Sequence, residues 1–250
     1  MSRMKFMNTE IDNLTMQETL QAIDRLIQED RSAYVVTPNV DHIVQLESSK
    51  ELQAVYENAS LILTDGKPLL WIAKWYGTPI KEKISGSDLF PLLCDMAAKK
   101  GYKMFFLGAA EGVAAKAAEN LANKFKGLQV VGTYSPPFGF EKDPVEMDKI
   151  KSMIKETSPH ILIVGLGCPK QEKFMYHHCK ELGVPISFGL GASFDFEAGN
   201  IKRAPRWMSN HGLEWLFRIT QDPKRMAKRY LVDDRKILGL AIKYRKGVDK

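Results

Sequence analysis

Short polar side chains follow several strand-like runs in this chain of 250 residues. Thr37 and Asn39 stand in the segment TPNVDHI after one such run, and Asp65 follows the next run in LTDGK. A carboxylate directly after a buried strand is well placed for general-base catalysis, and short polar groups beside it can bind a sugar hydroxyl or a phosphate. Ordinary structural roles stay open, because Asn39 also suits a helix N-cap and Asp65 followed by Gly66 also suits a turn.

Two glycine-rich segments follow later strand-like runs. GLGCPKQE begins at Gly165 and leads into a helical pattern, so its backbone N–H groups are placed to meet a phosphate. Its spacing is neither G-x-G-x-x-G nor a P-loop, and Cys168 within it is predicted to be a buried thiol rather than a nucleophile. FGLGASFDFEAG contains Asp195 and Glu197, and two carboxylates so spaced are frequent by chance, so we predict no metal site there.

The elements that position these residues alternate between two kinds of segment. Short β-branched or aromatic runs predict buried strands at 33–37, 61–64, 103–107, 129–133, 161–165 and 186–188. Helical apolar spacing predicts helices at 16–28, 87–99, 112–124, 144–156 and 170–182. Strands that alternate with helices indicate an α/β fold, with a parallel sheet covered on both faces. The ends of such strands meet at one edge, which suits a ligand site there.

The basic residues are concentrated in the last fifth of the chain. Residues 202–250 carry 14 Lys/Arg and 5 Asp/Glu, a net charge of +9, whereas residues 1–201 carry a net charge of −3. Helical apolar spacing, interrupted at Asp222-Pro223, predicts a basic amphipathic helical appendage over 201–250, after a core over 1–200. Such an appendage suits an anionic membrane surface. Nucleic acid is the rival polyanion, but the appendage lacks a recognised nucleic-acid motif and its apolar stripe needs an apolar partner.

The composition excludes several classes of protein. At 44% hydrophobic and 26% charged residues, the chain is neither a disordered protein, a collagen nor a disulfide scaffold. Three cysteines without zinc-site spacing indicate reduced thiols. We find no signal-peptide pattern and no apolar run that approaches the ~20 residues of a transmembrane helix. We therefore expect a cytoplasmic protein that can lie on a membrane but cannot cross it.

Taken together, six segments are more specific than any one of them. In order they are TPNVDHI, LTDGKPLLWIAKWYG, GSDLF, FFLGAAEGV, GLGCPKQEKF and FGLGASFDFEAGNIKRAPRWMSNHGLEWLFR. This series resembles the WecG/TagA/CpsF family of bacterial glycosyltransferases (glycosyltransferase family 26), roughly over residues 5–245, and is most like the TagA-type enzymes. The resemblance implies a Rossmann-like α/β core with a C-terminal appendage that helps to form the active site at the membrane.

The resemblance also implies an activity. It is that of an inverting N-acetylmannosaminyltransferase, which moves the sugar from UDP-ManNAc to the 4-hydroxyl of GlcNAc on undecaprenyl diphosphate. The β-1,4 bond formed belongs to the linkage unit of wall teichoic acid. No divalent metal and no other cofactor is expected, and a monomer–dimer equilibrium is expected.

Residue by residue, the resemblance makes Asp65 the base that takes the proton of the acceptor hydroxyl. It makes Thr37, Asn39 and Gln171 polar groups around the donor sugar or the acceptor. The remaining expected contacts are Gly165, Gly167, Lys170, Gly189, Gly191 and Asp195 with the UDP-sugar, Arg206, Arg218, Arg225 and Arg229 with the leaving diphosphate, and Lys83 with the diphosphate of the acceptor.

Two other functions remain open. The same fold accepts another donor, such as UDP-glucose or UDP-ManNAcA, for exopolysaccharide or surface-antigen synthesis, because contacts outside the shared motifs decide the donor. A non-catalytic nucleotide-binding module that docks on a membrane is the more distant alternative. Asp65 separates the alternatives, since a binding module needs no carboxylate there.

Overall fold

The computed structural model describes residues 3–245, and the side chains of Arg206, Asn210, Arg225 and Asp233 are outside that description. The strands are β1 Arg3–Phe6, β2 Thr9–Asp12, β3 Ala33–Val36, β4 Leu61–Ile62, β5 Lys103–Gly108, β6 Gln129–Tyr134, β7 Ile161–Gly165 and β8 Ile186–Gly189. Within the described residues, β3 to β8 form one parallel sheet in the order β4–β3–β8–β7–β5–β6. All six strands predicted from the sequence are present, and the α/β fold with a Rossmann-like parallel sheet is confirmed.

Helices cover the two faces of this sheet. They are α1 Met16–Glu29, α2 Val40–Leu46, α3 Lys50–Glu57, α4 Lys67–Trp75, α5 Gly86–Lys100, α6 Val113–Lys124, α7 Pro144–Thr157, α8 Lys170–Leu182, α9 Ser193–Ala198, α10 Arg206–Asn210, α11 Glu214–Gln221, α12 Pro223–Lys228 and α13 Lys236–Arg245. A short 3-10 turn lies at Phe140–Lys142, and a π-helical turn lies at Arg229–Asp233.

Strand β5 shows why the strand sequences are continuously apolar. Phe105 and Leu107 pack in the hydrophobic cluster on one face of the sheet, and Met104 and Phe106 pack in the cluster on the other face. Each of the four side chains is at most 1% exposed. Because both faces of a parallel sheet are buried, its strands lack the alternation of apolar and polar residues seen in half-exposed sheets.

The hairpin of β1 and β2 was not predicted. Its strands have four residues each, and of their side chains only Phe6, Ile11 and Asp12 are buried. Arg3 donates two hydrogen bonds to Asp12, at 3.1 and 2.9 Å, and Asp12 also accepts the backbone N–H of Ile62 at 2.9 Å. The ion pair therefore joins the two strands of the hairpin, and the hydrogen bond between Asp12 and Ile62 fastens the hairpin to the sheet.

The appendage is helical, as predicted, and a helix break lies at Asp222, where α11 ends and α12 begins with Pro223 as its first residue. Helix α13 packs against the core through Ile237 and Ala241, which are 8% and 4% exposed. The Tyr76 hydroxyl, just after α4, donates to the carbonyl oxygen of Ala241 at 2.6 Å. No helix within residues 3–245 combines the length and the apolar character needed to cross a bilayer.

Candidate active site

A cavity of about 450 Å³, here called the first cavity, lies at the carboxyl ends of the parallel strands. Residues that end or follow five strands form its walls, and this is the edge at which parallel α/β sheets bind ligands. The predicted site residues that line it are Thr37, Asn39, Asp65, Gly165, Gly167, Gln171, Gly189, Gly191, Asp195, Arg218 and Arg229.

A second cavity, of about 440 Å³, adjoins the first and lies between the core and the appendage. Its walls are largely apolar, with Trp215, Tyr230, Leu231 and Leu238 contributed by the appendage. Four residues line both cavities, so the two form neighbouring compartments with a common boundary. These shared residues are Asn39, Asp65, Arg218 and Arg229.

Asn39 has the helix-capping role that the sequence left open, and its side chain also contacts the appendage. Its Oδ1 accepts the backbone N–H of His42 at 3.4 Å, which caps α2. The same oxygen accepts from Arg229 Nη2 at 3.2 Å, and this contact ties the appendage to the loop after β3. Pro38, one residue earlier, accepts the backbone N–H of Asp65 at 2.8 Å, so the Asn39 and Asp65 loops are fixed to each other.

Asp65 lies at the boundary of the two cavities, and its environment favours the protonated carboxyl. Burial, aided by the nearby Glu214 carboxylate, raises the pKa of Asp65 from 3.8 to about 6, while Arg218, Lys83 and His42 oppose the rise. A general base works best when its pKa lies near the pH at which it acts. At neutral pH, Asp65 is thus ionised and a stronger base than an exposed aspartate.

The appendage brings two arginines to this boundary. Arg218 Nη2 lies 3.0 Å from Glu214 Oε1, and its guanidinium stands over the Phe196 ring at 5.6 Å. Arg229 Nη2 lies 3.4 Å from Asp41 Oδ2 in addition to its contact with Asn39. Both can therefore meet a phosphate that bridges the cavities. The side chains of the other two predicted arginines, Arg206 and Arg225, lie outside the described residues.

The glycine-rich turns are shaped by the protein's own side chains. A Cβ on Gly189 would come within 2.9 Å of Gln171 Nε2, and one on Gly165 within 2.5 Å of the Phe194 ring. Gln171 Oε1 accepts the backbone N–H of Gly191 at 3.1 Å. The absence of side chains at these glycines thus makes room for Gln171 and Phe194, besides opening the backbone to a ligand.

Two predicted contacts lie apart from this cluster. Lys170 does not line the first cavity; its Nζ is 3.2 Å from Glu141 Oε1 and stands over the Phe138 ring. Lys83 lines the second cavity, where its Nζ lies 3.1 Å from Asp88 and 3.9 Å from Glu214. The structure therefore brings Lys83 to the second cavity, beside Asp65, and does not bring Lys170 to the first cavity.

Sequence reasoning gave no role to His42 and Glu172, and it gave Cys168 a packing role only. Their ligand atoms lie within 4.8 Å of one another, a spacing that suits a metal ion, and both His42 and Cys168 line the first cavity. His42 Nε2 lies 3.2 Å from Glu172 Oε1, an ordinary hydrogen-bonded pair. One signal was available in the sequence: His42 is the third residue after the Asn39 cap, the position that returns a side chain to the cap in a capping box.

Comparison with the sequences of known proteins identifies the family of this chain. The family model described as Glycosyl transferase WecG/TagA/CpsF family matches residues 4–250. The chain belongs to this family. It is 34% identical over 200 residues to the N-acetylglucosaminyldiphosphoundecaprenol N-acetyl-beta-D-mannosaminyltransferase of Bacillus spizizenii (strain ATCC 23059 / NRRL B-14472 / W23), an alignment that covers 80% of this chain and 75% of the relative. It is 29% identical over 199 residues to the protein of the same name from Bacillus subtilis (strain 168), with the same coverage.

Membership of a glycosyltransferase family accounts for two adjoining cavities. Glycosyl transfer needs one place for the activated sugar and another for the acceptor, with the reacting atoms between them. Of the carboxylates among the described residues, Asp65 lines both cavities. The family's chemistry thus points to the boundary between the cavities as the place of reaction.

Proposed function

We propose that this WecG/TagA/CpsF glycosyltransferase moves N-acetylmannosamine from UDP-ManNAc to the 4-hydroxyl of GlcNAc on undecaprenyl diphosphate, in the synthesis of the wall teichoic acid linkage unit. The observation that carries the proposal is the position of Asp65 on the wall shared by a polar and an apolar cavity. The printed names of the two Bacillus relatives supply the sugar and the lipid-linked acceptor.

The donor is assigned to the first cavity. UDP lies along the glycine-rich turns at the ends of β7 and β8, with its diphosphate toward Arg218 and Arg229. The anomeric carbon then faces Asp65, and Thr37, Asn39 and Gln171 contact the sugar. Because the two guanidinium groups neutralise the leaving diphosphate, transfer needs no divalent cation in this proposal.

The acceptor is assigned to the second cavity, where its sugar reaches Asp65. Asp65 takes the proton of the 4-hydroxyl while the oxygen attacks the anomeric carbon from the face opposite UDP. The bond between that carbon and the phosphate oxygen breaks as the new glycosidic bond forms, and UDP leaves with the bonding electrons. Attack from the opposite face inverts the anomeric centre and gives the β-1,4 product.

The lipid carrier accounts for the apolar side chains at the edge of the second cavity. Leu231 and Leu238 line that cavity and are 59% and 70% exposed, and Ile242, one turn after Leu238, is 55% exposed. Basic residues accompany them on the same helices, and a basic residue near an anionic surface contributes about 1 kcal/mol to membrane binding. We therefore place the appendage on the cytoplasmic face of the membrane, from which the carrier enters.

A donor panel tests the proposal. The protein is incubated with lipid-diphosphate-linked GlcNAc and, in turn, with UDP-ManNAc, UDP-GlcNAc, UDP-glucose or UDP-ManNAcA, each with and without EDTA. We expect UDP-ManNAc to be the preferred donor, a β-1,4 linkage by NMR, and no loss of activity in EDTA. Preference for UDP-glucose or UDP-ManNAcA would move the protein to another polysaccharide pathway. Strict dependence on an added cation would contradict the metal-free mechanism.

A further inference from the structure

Glu172 lies behind the wall of the first cavity and contacts side chains from two of its loops. It is 1% exposed, and its Oε1 accepts from Gln171 Nε2 at 2.8 Å. The same oxygen lies 3.2 Å from Nε2 of His42, which is 4% exposed. Of these two neighbours of Glu172, His42 contacts Asn39 and Gln171 contacts Gly191.

The hydrogen bonds at Asn39 define the proton on one nitrogen of His42. Asn39 Oδ1 receives Arg229 Nη2 and the backbone N–H of His42, both of which can only donate. The atom they meet is therefore an oxygen. His42 Nδ1 lies 2.9 Å from that oxygen and 3.4 Å from the backbone nitrogen of Asn39. Because the shorter contact is to an oxygen that can only accept, we assign a proton to Nδ1.

The hydrogen bonds at Gln171 define the acceptor at the other nitrogen. The backbone N–H of Gly191 can only donate, so the Gln171 atom that meets it is Oε1, and the atom that meets Glu172 is the amide nitrogen. Glu172 Oε1 is thus an acceptor. Glu172 Oε1 also faces His42 Nε2 at 3.2 Å. It can accept a hydrogen bond there if Nε2 carries a proton as well.

We propose that Glu172 and His42 are positioning residues, a buried carboxylate–imidazolium pair that holds the side-chain amides of Asn39 and Gln171 in one orientation. With Asn39 Oδ1 occupied by three donors, the amide N–H groups of Asn39 remain for the ligand. With Gln171 Oε1 held by Gly191, the second N–H of Gln171 Nε2 remains as well. The pair thus makes this part of the cavity a donor of hydrogen bonds, matched to sugar and phosphate oxygens.

The charges around His42 agree with this assignment. Burial lowers the pKa of the imidazole, but contacts with Cys168 and Glu172 outweigh it, and the net direction is upward. Burial raises the pKa of the Cys168 thiol, against an opposing effect of His42, and burial also raises the pKa of the Tyr56 hydroxyl. Glu172 lies in direct contact with His42, and Asp65 interacts with His42 from the loop after β4.

Nitrogen-15 NMR of the histidine side chains tests the pair in the full-length protein. The chain has five histidines, and His42→Gln identifies the signals of His42 by their loss. Near pH 7, we expect both ring nitrogens of His42 to carry protons in the wild type and only one to do so in Glu172→Gln. The matched control is Glu51→Gln, which removes the same charge from a surface pair whose His177 Nε2–Glu51 Oε1 distance is 3.1 Å, and which should leave the His42 signals unchanged.

Steady-state kinetics test the positioning role, which rests on the proposed function because it assigns Asn39 and Gln171 to the sugar. Glu172→Gln should lower kcat by about 10- to 100-fold, the effect of slightly misplaced contacts, with UDP affinity and the thermal midpoint close to those of Glu51→Gln. A neutral His42 in the wild type, or full kcat in a folded Glu172→Gln, overturns the inference. If the wild type uses none of the donors, the proposed function fails, while the NMR signals still decide whether the pair exists.

Discussion

Replacing Asp65 by asparagine should stabilise the protein and abolish its activity together. The pKa of Asp65 is about 6 in the folded chain, against an ordinary value of 3.8. At 1.36 kcal/mol per pKa unit, ionised Asp65 costs the folded state about 3 kcal/mol. Because the folded pKa is raised, this cost is fully present above pH 6, shrinks as the pH falls through 6, and vanishes below 3.8.

Urea unfolding at two pH values measures this effect. At pH 8, we expect the free energy of unfolding of Asp65→Asn to exceed that of the wild type by up to about 3 kcal/mol. At pH 4.5, most of the difference should be gone. Since the neutral amide of the variant cannot accept the proton of the acceptor hydroxyl, transfer should fall by about 10²- to 10⁴-fold, while UDP affinity is kept.

The matched control is Asp95→Asn. Asp95 forms a surface pair with Lys99 at 2.6 Å on α5, so its loss should change the unfolding free energy by no more than about 1 kcal/mol. An Asp65→Asn protein that is no more stable than the wild type at pH 8 would refute the electrostatic account of this carboxyl. Normal turnover by Asp65→Asn would refute its assignment as the base.

Two further predictions concern the charges near Asp65. The acid limb of the pH profile of kcat/KM should lie near pH 6. It should move to lower pH in Glu214→Gln, because Glu214 helps to raise the pKa of Asp65. If the limb does not move, it reports the titration of a group other than Asp65. Arg218→Gln and Arg229→Gln should each lower kcat by roughly 100-fold in steady-state assays. The Lys170 ammonium pairs with Glu141, so Lys170→Ala should leave the donor KM within about twofold of the wild-type value. A donor KM raised well beyond twofold by Lys170→Ala would return Lys170 to the donor site.

The fold was largely predictable because its signals are local. Strands β3, β4, β5, β7 and β8 are buried on both faces, so each appears as a short apolar run, whereas the edge strand β6 is only partly buried. The hairpin of β1 and β2 was not predicted because it is held by the Arg3–Asp12 ion pair and by the contact with Ile62. Those interactions join residues that are individually unremarkable in the sequence.

From spacing alone, the site was predictable where a residue ends a strand, whereas Gln171, Arg218 and Arg229 were predicted through the family resemblance. Asp65 and Asn39 follow strands, and the topology carries both to the same edge. Lys170 and Gln171 show the limit of that reasoning. They are neighbours at the start of α8, and successive helical residues point about 100° apart, so Gln171 faces the cavity while Lys170 reaches Glu141.

The environment of Asp65 could not be predicted, since it is set by groups from distant parts of the chain. Glu214 and Arg218 come from the appendage, and Lys83 comes from the segment after α4. Their side chains meet at Asp65 only after the appendage has packed on the core. Sequence motifs therefore pointed to Asp65 as the proposed base, whereas its pKa depends on tertiary contacts.

The same contacts couple the two halves of the proposed reaction. Arg218 lowers the pKa of Asp65 by its positive charge, and in the proposed mechanism it also meets the leaving diphosphate. As the bond to the sugar breaks, negative charge grows on the diphosphate and offsets the charge of Arg218. The pull of Arg218 on Asp65 then weakens, so the carboxylate holds a proton more firmly at the moment when the acceptor hydroxyl gives one up. One arginine at the boundary of the two cavities thus links departure of UDP to proton transfer.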